Sequence, residues 1–433
     1  MVQNHYDIVI IGAGPAGLMA AIESAGADRK ILLLEKMPHP ALKLKISGKG
    51  RCNLTNDAEL KDFIAHFGKN GRFLKFAFSE FFSKDLLNYF EKLGIQFRLE
   101  RGGRYFPRDE NATDVANALL KKVASLKIPL WTHAEVIRLA KSPDQPFALT
   151  LRKRNSADRD DSQRIQITAN NVVLATGGKS YPKTGSNGAG FKFAAQLGHT
   201  LTPLSPSLVP IETKGNTAGK LEGLSLRNVK ASVWCNNKKV DERFGEMVFT
   251  DSGVSGPIIL SLSKTMVRVL DDNQGVSLSI DLKPALDPKM LDHRLLREIN
   301  EHSKQGFKSL LKKLLPKKLI PVFAEKSGIP EEKPLNQITS EERKKLRRLL
   351  KDFPFEVKGY RSFDQAIVTS GGVSIKEIDP KTMESRIVKG LYFAGEIMDL
   401  DADTGGFNLQ AAFSTGWIAG RALLKTESEM GHG

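Results

Sequence analysis

Cysteine is scarce in this sequence: Cys52 and Cys235 are the two cysteines among 433 residues. Thiols so few and so far apart exclude a disulfide-rich scaffold and a cysteine-based zinc site, and they favour a reducing compartment. The sequence also has no Cys-x-x-Cys or Cys-x-x-x-x-Cys pair, so a dithiol redox relay is not predicted. We expect Cys52 to be a buried packing residue, because free cysteine behaves as a small hydrophobe.

Long apolar runs are missing as well, and none is long enough to cross a bilayer. No charged segment precedes the first apolar run, and glycines interrupt that run, so a signal peptide is not predicted. The expectation is a soluble cytoplasmic protein with no membrane partner. The length suits two or three domains.

Acidic residues are outnumbered, with 49 Asp and Glu against 65 Lys and Arg and a formal net charge of +16. Half of the excess lies in residues 306–351, where leucines recur at helical spacing between paired cations. Thr339 and Glu342 form a capping box for one of the predicted helices. We interpret this stretch as a solvated helical face, because aromatic residues suited to base stacking are scarce there. A surface that binds a polyanion, such as nucleic acid or anionic lipid, is the alternative.

Glycines are present where a dinucleotide would need them. The apolar residues 7–11 predict a buried strand, and Gly12, Gly14 and Gly17 follow it as G-x-G-x-x-G. Gly12 permits a tight turn, Gly14 lets the backbone approach a pyrophosphate, and Gly17 lets the next helix pack closely on the sheet. The N–H groups at the start of that helix would face the phosphates.

A second apolar run, residues 31–34, ends at Glu35. A carboxylate at this distance from the glycines accepts hydrogen bonds from ribose hydroxyls, which favours FAD or NAD over NADP. The predicted cofactor contacts of the N-terminal segment are Gly12, Gly14, Pro15, Ala16, Gly17, Glu35 and Lys36.

Local patterns predict further elements. Residues 57–130 read as mostly helical, and apolar spacing predicts one helix over 78–93. Short strands are predicted at 164–168 and 171–174, and residues 236–239 are a candidate hairpin turn. Changes in residue composition along the chain then predict a discontinuous domain of 1–199 and 360–433, a β-rich insert of 200–285 and 352–359, and a basic helical subdomain of 286–351.

Motifs along the whole chain carry a family resemblance. They are KISGKGRCNLTN (45–56), GGRYFPR (102–108), LATGGKSYPKTGSNGAGFKFAAQLGH (174–199), PSLVPI (206–211), GEMVFTDSGVSGPIILSLS (245–263) and VTSGGVSIKEIDPKTMESRIVKGLYFAGEIMDLDADTGGFNLQAA (368–412). The chain resembles the YhiN/BaiN-like NAD(P)/FAD-dependent oxidoreductases, bacterial flavoproteins that include aminoacetone oxidase-like members. The resemblance implies an α/β fold with a discontinuous Rossmann-type FAD-binding domain, an inserted β-barrel-like domain and a small helical domain.

Two inner motifs suit such a cofactor. The glycines of SGKGRCN (47–53) offer N–H groups to phosphate or ribityl oxygens, and Arg51 adds a positive charge near phosphate or reduced flavin. ATGG (175–178) ends a predicted strand, where the backbone turns against a ligand. The predicted contacts are Ser47, Gly48, Gly50, Arg51, Cys52, Asn53, Ala175, Thr176 and Gly177.

The closing motif looks like the part of a flavoprotein that covers the flavin. By resemblance Glu396 binds the ribityl chain, and a helix starting near residues 408–410 would stabilise negative charge on reduced flavin through its dipole. The predicted contacts are Gly395, Glu396, Gly405, Gly406, Asn408 and Leu409. We interpret Asp399, Asp401 and Asp403 as solvent-facing turn residues.

The sequence has no second dinucleotide fingerprint. Either NAD(P)H visits the flavin transiently, or an organic substrate reduces FAD and dioxygen reoxidises it. The predicted function is an FAD-dependent oxidoreductase of a small organic substrate, and the alternative is a flavoprotein that docks on nucleic acid through its basic helices.

Catalytic groups are harder to read. The candidates are Tyr105 with Arg108, Lys179 with Tyr181, and Asp251 with Ser252. Many family members carry His where this chain has Asp251, so a Tyr or Lys is the candidate proton donor. A structural hydrogen bond is the alternative for each. The eight histidines show no metal-ligand spacing, so no metal is predicted.

Overall fold

A computed structural model describes residues 4–26, 29–109, 111–154 and 162–425. They form two compact units. The first combines the chain up to residue 205 with the chain from residue 367 onward, and the second consists of residues 206–366. Each unit has an apolar core of its own.

The described strands are, in chain order, β1 (Asn4–Ile11), β2 (Ile31–Leu34), β3 (Thr55–Asn56), β4 (Phe97–Glu100), β5 (Arg104–Pro107), β6 (Leu130–Trp131), β7 (Ala134–Ala140), β8 (Phe147–Arg154), β9 (Ser162–Leu174), β10 (Ser205–Ser207), β11 (Ile211–Thr213), β12 (Ser225–Cys235), β13 (Lys238–Phe249), β14 (Gly253–Ser255), β15 (Val276–Asp281), β16 (Phe353–Tyr360), β17 (Val368–Ser370) and β18 (Leu391–Phe393). The described α-helices are α1 (Pro15–Glu23), α2 (Leu42–Ile46), α3 (Leu60–Ala65), α4 (Lys75–Glu80), α5 (Ser83–Lys92), α6 (Ala112–Ser125), α7 (Ala189–Gln196), α8 (Thr217–Lys220), α9 (Pro257–Asp271), α10 (Pro288–Glu301), α11 (Phe307–Leu314), α12 (Leu319–Ser327), α13 (Ser340–Lys351) and α14 (Phe407–Lys425).

A seven-stranded sheet forms the centre of the first unit. Its order is β6-β2-β1-β9-β8-β7, and β18 also pairs with β9. Strands β6, β2, β1, β9 and β18 run parallel, whereas β7, β8 and β9 form an antiparallel meander. The parallel strands are apolar because helices cover both faces of such a sheet. Their carboxyl ends therefore lie at one edge.

The helix predicted over 78–93 is wrong in its extent. The chain breaks at Phe81, whose backbone is extended, and restarts as α5 with Phe82 as its N-cap residue. The Phe81 ring stacks on Trp417 and the Phe82 ring packs edge-on against Phe63. Because burying these rings requires the break, tertiary packing overrides the local helical pattern.

Two other local predictions are corrected. The strands expected at 164–168 and 171–174 form one strand, β9, which pairs with β8 through its first part and with β1 along most of its length. The segment 57–130, read as mostly helical, also contains strands β4 and β5, which form a small antiparallel sheet with β3 just before the segment.

A closed barrel lies in the second unit, with the strand order β11-β14-β13-β12-β15-β16. The predicted turn joins β12 to β13, where Asn236 and Asn237 both have positive φ values of 49° and 61°. Asparagine tolerates this left-handed conformation. A tight turn with two such residues has the same twist as the strands that it joins. The β-barrel-like insert implied by the family resemblance is thus confirmed.

Four helices, α10 to α13, follow the fifth barrel strand β15 in the chain. Their leucines lie on the buried side, among them Leu310, Leu314, Leu346 and Leu350. The predicted capping box opens α13, because Thr339 accepts from the Glu342 N–H and Glu342 accepts from the Thr339 N–H. None of the helices in the described part of the chain combines the length and the apolar character that crossing a bilayer requires.

Candidate cofactor site

Three predicted segments meet where the parallel strands end. A Cβ atom on Gly12, whose φ is 108°, would lie 2.4 Å from the Ala175 carbonyl oxygen, so the segments after β1 and β9 touch. A Cβ atom on Gly395 would lie 2.9 Å from the Ala16 Cβ atom. The opening and closing motifs are therefore in direct contact, although almost the whole chain separates them.

The start of α1 leaves room for a ligand. Apart from Gly14 itself and its two chain neighbours, no described atom lies within 4 Å of the place where a Gly14 Cβ atom would stand, whereas a Gly17 Cβ atom would be 1.8 Å from the Gly12 carbonyl oxygen. Pro15 is the first residue of α1. The open side at Gly14 and the closed side at Gly17 match a helix that packs on the sheet and turns its N–H groups outward.

Glu35 follows β2 and binds the backbone around it. Its carboxylate accepts from the Met37 N–H at 2.9 Å and from the Ala13 N–H at 3.1 Å. Burial raises the pKa of the Glu35 carboxyl, and these hydrogen bonds oppose the rise. A carboxylate has about four lone pairs, so both oxygens keep capacity for ribose hydroxyls. Burial also lowers the pKa of the neighbouring Lys36.

A buried hydroxyl after β9 fits a polar ligand as well. Thr176 Oγ1 is shielded from solvent and has no hydrogen-bond partner among the described residues. A Cβ atom on Gly190 would lie 1.9 Å from it. Buried polar groups in proteins are normally paired, so this hydroxyl lacks a partner that a ligand would supply. Together with the free space at Gly14, it fits a bound FAD.

Several residues of the 47–53 segment have left-handed backbones. Gly48, Gly50 and Cys52 have positive φ values. Cys52 is fully buried, and burial raises the pKa of its thiol to about 12, as expected of a packing residue. The Arg51 guanidinium pairs with Glu100 and lies 4.1 Å from the centre of the Phe106 ring. Ser47 Oγ donates to the Leu44 carbonyl group.

Glu396 lies in a compact polar cluster that the sequence does not reveal. Its carboxylate accepts from Lys43 Nζ at 2.6 Å, and from Ser180 Oγ and the Thr369 N–H at 2.8 Å each. Lys43 Nζ also donates to Ser180 Oγ at 2.6 Å. The cluster ties α2, the segment after β9, β17 and the segment after β18 to one carboxylate.

The glycines before α14 are enclosed by the protein. A Cβ atom on Gly406, whose φ is 99°, would lie 2.5 Å from the Thr55 carbonyl oxygen. Asn56 donates to the Gly405 carbonyl group at 3.0 Å. The Asn53 amide, in the orientation that satisfies its neighbours, accepts from the Gly406 N–H at 3.1 Å. This loop thus joins the 47–53 segment.

The remaining predicted residues of the closing motif point toward protein. Asn408 accepts from the Ala402 N–H at 2.9 Å and donates to the Ala402 carbonyl group at 3.0 Å, so its side chain braces the preceding loop. Leu409 is half-buried and packs against the apolar core. The cofactor contacts assigned to both residues stay predictions.

The acidic loop of Asp399, Asp401 and Asp403 is not the solvent-facing turn that the sequence predicts. Asp401 is buried and accepts from Ser370 Oγ at 3.1 Å. Asp403 Oδ2 lies 2.9 Å from Nδ1 of His66, whose ring stacks on Phe407 with 3.9 Å between the ring centres. Sequence reasoning missed His66, because histidines were considered for metal-ligand spacing and its partner lies 337 residues away.

Most of the catalytic candidates already have polar contacts within the protein. Tyr105 donates to Asp57 Oδ1 and Arg108 donates to Gln96 Oε1, each at 2.9 Å. Tyr181 has a left-handed backbone, and the Lys179 N–H donates to Thr369 Oγ1 at 2.8 Å. In the second unit, Asp251 and Ser252 both contact Arg361. Their catalytic roles stay predictions.

A group of possible metal ligands lies on α10. Ligand atoms of Glu298, Glu301 and His302 lie within 4.8 Å of one another, at i, i+3, i+4 spacing. Lys313 Nζ, however, is 2.9 Å from Glu298 Oε2 and also contacts His302. A lysine ammonium thus already contacts two of the three candidate ligands.

Comparison with known proteins gives a match along the chain. A family model described as HI0933-like protein Rossmann domain matches residues 6–422. The chain is 31% identical over 420 residues to 3-dehydro-bile acid delta(4,6)-reductase of Clostridium scindens, covering 96% of this chain and 99% of that protein. It is 30% identical over 426 residues to ribosomal RNA dihydrouridine synthase of Escherichia coli, covering 98% of this chain and 100% of that protein.

Solved structures share the fold. The 3-ketosteroid delta1-dehydrogenase of Sterolibacterium denitrificans aligns with a TM-score of 0.54 at 12% identity, covering 98% of this chain and 100% of that chain. At this identity the likeness concerns the fold alone.

Proposed function

The chain belongs to the HI0933-like protein family and is an FAD-dependent oxidoreductase, and from this premise we propose that it reduces a uridine of ribosomal RNA. The reaction is the reduction of a carbon–carbon double bond conjugated to a carbonyl group. This proposal keeps the predicted reaction class. Its substrate is a nucleic acid, which the sequence offered only as an alternative docking partner.

Two relatives support the reaction class. One name states reduction at positions 4 and 6 of a 3-dehydro bile acid, and the other states formation of dihydrouridine in ribosomal RNA. A double bond next to a carbonyl is electron-poor at its far carbon in both kinds of molecule. The same hydride addition therefore reduces either one.

The edge of the parallel sheet supplies the cofactor groups. Gly12 and Gly14 would face the pyrophosphate, Glu35 the ribose, and Glu396 the ribityl chain. When bound, FAD would supply hydride-transfer chemistry, with NADH or NADPH as the source of the electrons. The chain's own contribution is to hold this cofactor, to place the substrate and to deliver a proton.

Exposed cations favour RNA over a steroid. Four cations in the stretch from α11 to α13, helices included, are exposed and have no ion-pair partner within the described ranges. They are Lys312, Lys317, Lys345 and Arg348. Neighbouring cations are engaged, because Lys344 pairs with Glu341 and Arg347 pairs with Asp292. Unpaired surface cations attract phosphates, which position RNA without any need for stacking aromatic residues.

A small enone is the second candidate, favoured by the likeness to the bile acid reductase over nearly the whole chain. A neutral or anionic steroid gives no account of the four free cations or of the net charge of +16. These charges carry the preference for RNA.

The test compares the two substrates directly. The purified flavoprotein is incubated with NADH or NADPH and either an unmodified ribosomal RNA transcript or a 3-oxo-4-ene steroid. We expect a uridine in the RNA to gain two hydrogen atoms, detected by mass spectrometry after nuclease digestion. Reduction of the steroid alone would contradict the RNA substrate, and reduction of neither would contradict the reaction class as well.

A further inference from the structure

His66 is held by two contacts of different kinds. Its Nδ1 atom lies 2.9 Å from Asp403 Oδ2, which fixes one end of the imidazole. Its ring stacks on Phe407 at a centroid distance of 3.9 Å and an angle of 24°, which fixes the ring plane. The ring is therefore oriented before any substrate arrives.

The other ring nitrogen is available. His66 Nε2 has no hydrogen-bond partner in the part of the chain that the structure describes, and 36% of the side chain is exposed. An imidazole with Nδ1 bound to a carboxylate and Nε2 open can donate or accept a proton at Nε2. The same arrangement orients catalytic histidines in hydrolases, where a carboxylate holds the far nitrogen.

The position of His66 connects it with the flavin end of the site. Phe407 is the first residue of α14, directly after Gly405 and Gly406. This loop belongs to the closing motif, which by the family resemblance covers the flavin. The Asn408 side chain braces it by donating to the Ala402 carbonyl group at 3.0 Å. Asp403 therefore holds His66 from a loop that the protein itself keeps in place.

We propose that His66 is the catalytic proton donor for the reduced double bond and that Asp403 is its positioning residue. This inference rests on the proposed function. A hydride that originates from NADH or NADPH forms a C–H bond at the far carbon, and the π electrons move toward the carbonyl group. The imidazolium of His66 then gives its Nε2 proton to the carbon next to the carbonyl.

The step is balanced in electrons and protons. The substrate gains one hydride and one proton, the nicotinamide coenzyme is left oxidised, and His66 becomes neutral. Its Nδ1–H stays bonded to Asp403, and solvent returns the proton to the exposed Nε2 atom. The chain thereby supplies an imidazole although Asp251 stands where many family members carry His.

The earlier candidates are less suited to this step. The Tyr105 hydroxyl already donates to Asp57 at 2.9 Å. Burial and the Asp57 carboxylate raise the pKa of Tyr105, which makes it a weaker acid. Asp251 pairs with Arg361 in the second unit. Neither residue offers an oriented and unengaged donor.

The test separates the two half-reactions by stopped-flow spectroscopy of the purified flavoprotein. The probes are the ribosomal RNA transcript and 2-cyclohexen-1-one. In His66→Gln, we expect flavin reduction by the nicotinamide coenzyme to keep its wild-type rate within about two-fold, because no substrate proton is involved. Reoxidation by either probe should slow by about 100- to 10,000-fold, the usual contribution of a general acid.

Two further variants keep the outcome decisive. Imidazole added to His66→Ala with saturating FAD should restore reoxidation, because a free imidazole replaces the missing ring. Asp403→Asn should lower kcat more than it raises KM. Wild-type reoxidation rates in His66→Gln, or absence of rescue, overturn the role of His66. A wild-type protein that reduces neither probe overturns the proposed function instead.

Discussion

Lys43 Nζ lies 2.6 Å from Glu396 Oε2, so the carboxylate predicted to bind the cofactor is itself held by a lysine 353 residues earlier in the chain. The pair is partly shielded, with 25% and 18% of the two side chains exposed. Two distant segments of the same unit are joined by this contact. It implies that the position of Glu396 depends on α2 as well as on the strand before it.

Lys43→Met should weaken FAD binding by about ten-fold, equivalent to about 1.4 kcal/mol. The change leaves Glu396 charged and half-buried with fewer partners, and the carboxylate loses its fixed position. Quenching of flavin fluorescence during titration of the apoprotein measures the affinity. Lys45→Met, on the same short helix, is the matched control and should bind FAD normally. Equal affinities of the two variants would contradict the role given to Lys43.

Gly14→Ala should reduce FAD affinity without destabilising the protein. The φ of Gly14 is −83°, and beyond the adjoining residues no described atom lies within 4 Å of the new methyl group. The methyl group would occupy the space in front of α1 that we assign to the pyrophosphate. Thermal unfolding of the apoprotein should stay within about 0.5 kcal/mol of wild type. An alanine variant that retains FAD fully would place the pyrophosphate elsewhere.

Gly406→Val should abolish FAD retention, for a different reason. A Cβ atom there would lie 2.5 Å from the Thr55 carbonyl oxygen, and the φ of 99° is unfavourable for valine. The loop must shift, so apoprotein stability should fall together with cofactor content, measured by flavin absorbance and thermal unfolding. A variant that purifies fully yellow would exclude this loop from the site.

Neutralising the four free cations should weaken RNA binding and its dependence on salt. The variant carries glutamine at Lys312, Lys317, Lys345 and Arg348. The plot of log affinity against log salt should become shallower, with the magnitude of its slope reduced by about 3, because each phosphate contact contributes about 0.7–0.9. The control neutralises four exposed lysines of the first unit: Lys84, Lys92, Lys121 and Lys192. Equal slopes in the two variants would contradict an RNA surface on these helices.

Features with a local signal could be predicted from the sequence. The glycine fingerprint, the turn at Asn236–Asn237 and the capping box of Thr339 and Glu342 each depend on residues within a few positions. Such signals act through backbone conformation and hydrogen bonds inside one segment. They identified the start of the cofactor domain and several element boundaries.

Features that depend on distant partners could not be predicted in this way. The break at Phe81 follows from its stacking on Trp417, and the orientation of His66 follows from Asp403. Neither partner has a fixed spacing that a single sequence would reveal. Side chains of this kind are brought together only when the strands and helices of the unit pack.

Acid should destabilise the protein through His199. Its side chain is fully buried, with Nδ1 3.2 Å from Glu377 Oε2 and Nε2 2.9 Å from Ser385 Oγ. Burial lowers the pKa of His199, and Glu377 opposes this. The folded state thus binds fewer protons than the unfolded state, in which the pKa is about 6.5. The stabilisation is present above pH 6.5 and is lost as the pH falls toward the lowered pKa.

His199→Gln should remove this part of the pH dependence. Urea unfolding at several pH values between about 5 and 8 measures the free energy of unfolding. Relative to wild type, the variant should be less stable at pH 8 by about 1 kcal/mol, because a buried hydrogen-bonded ring is lost. The difference should shrink as the pH falls. His39→Gln, at an exposed position, should keep the wild-type profile, and a constant difference between His199→Gln and wild type would show that His199 is not the acid-sensitive group.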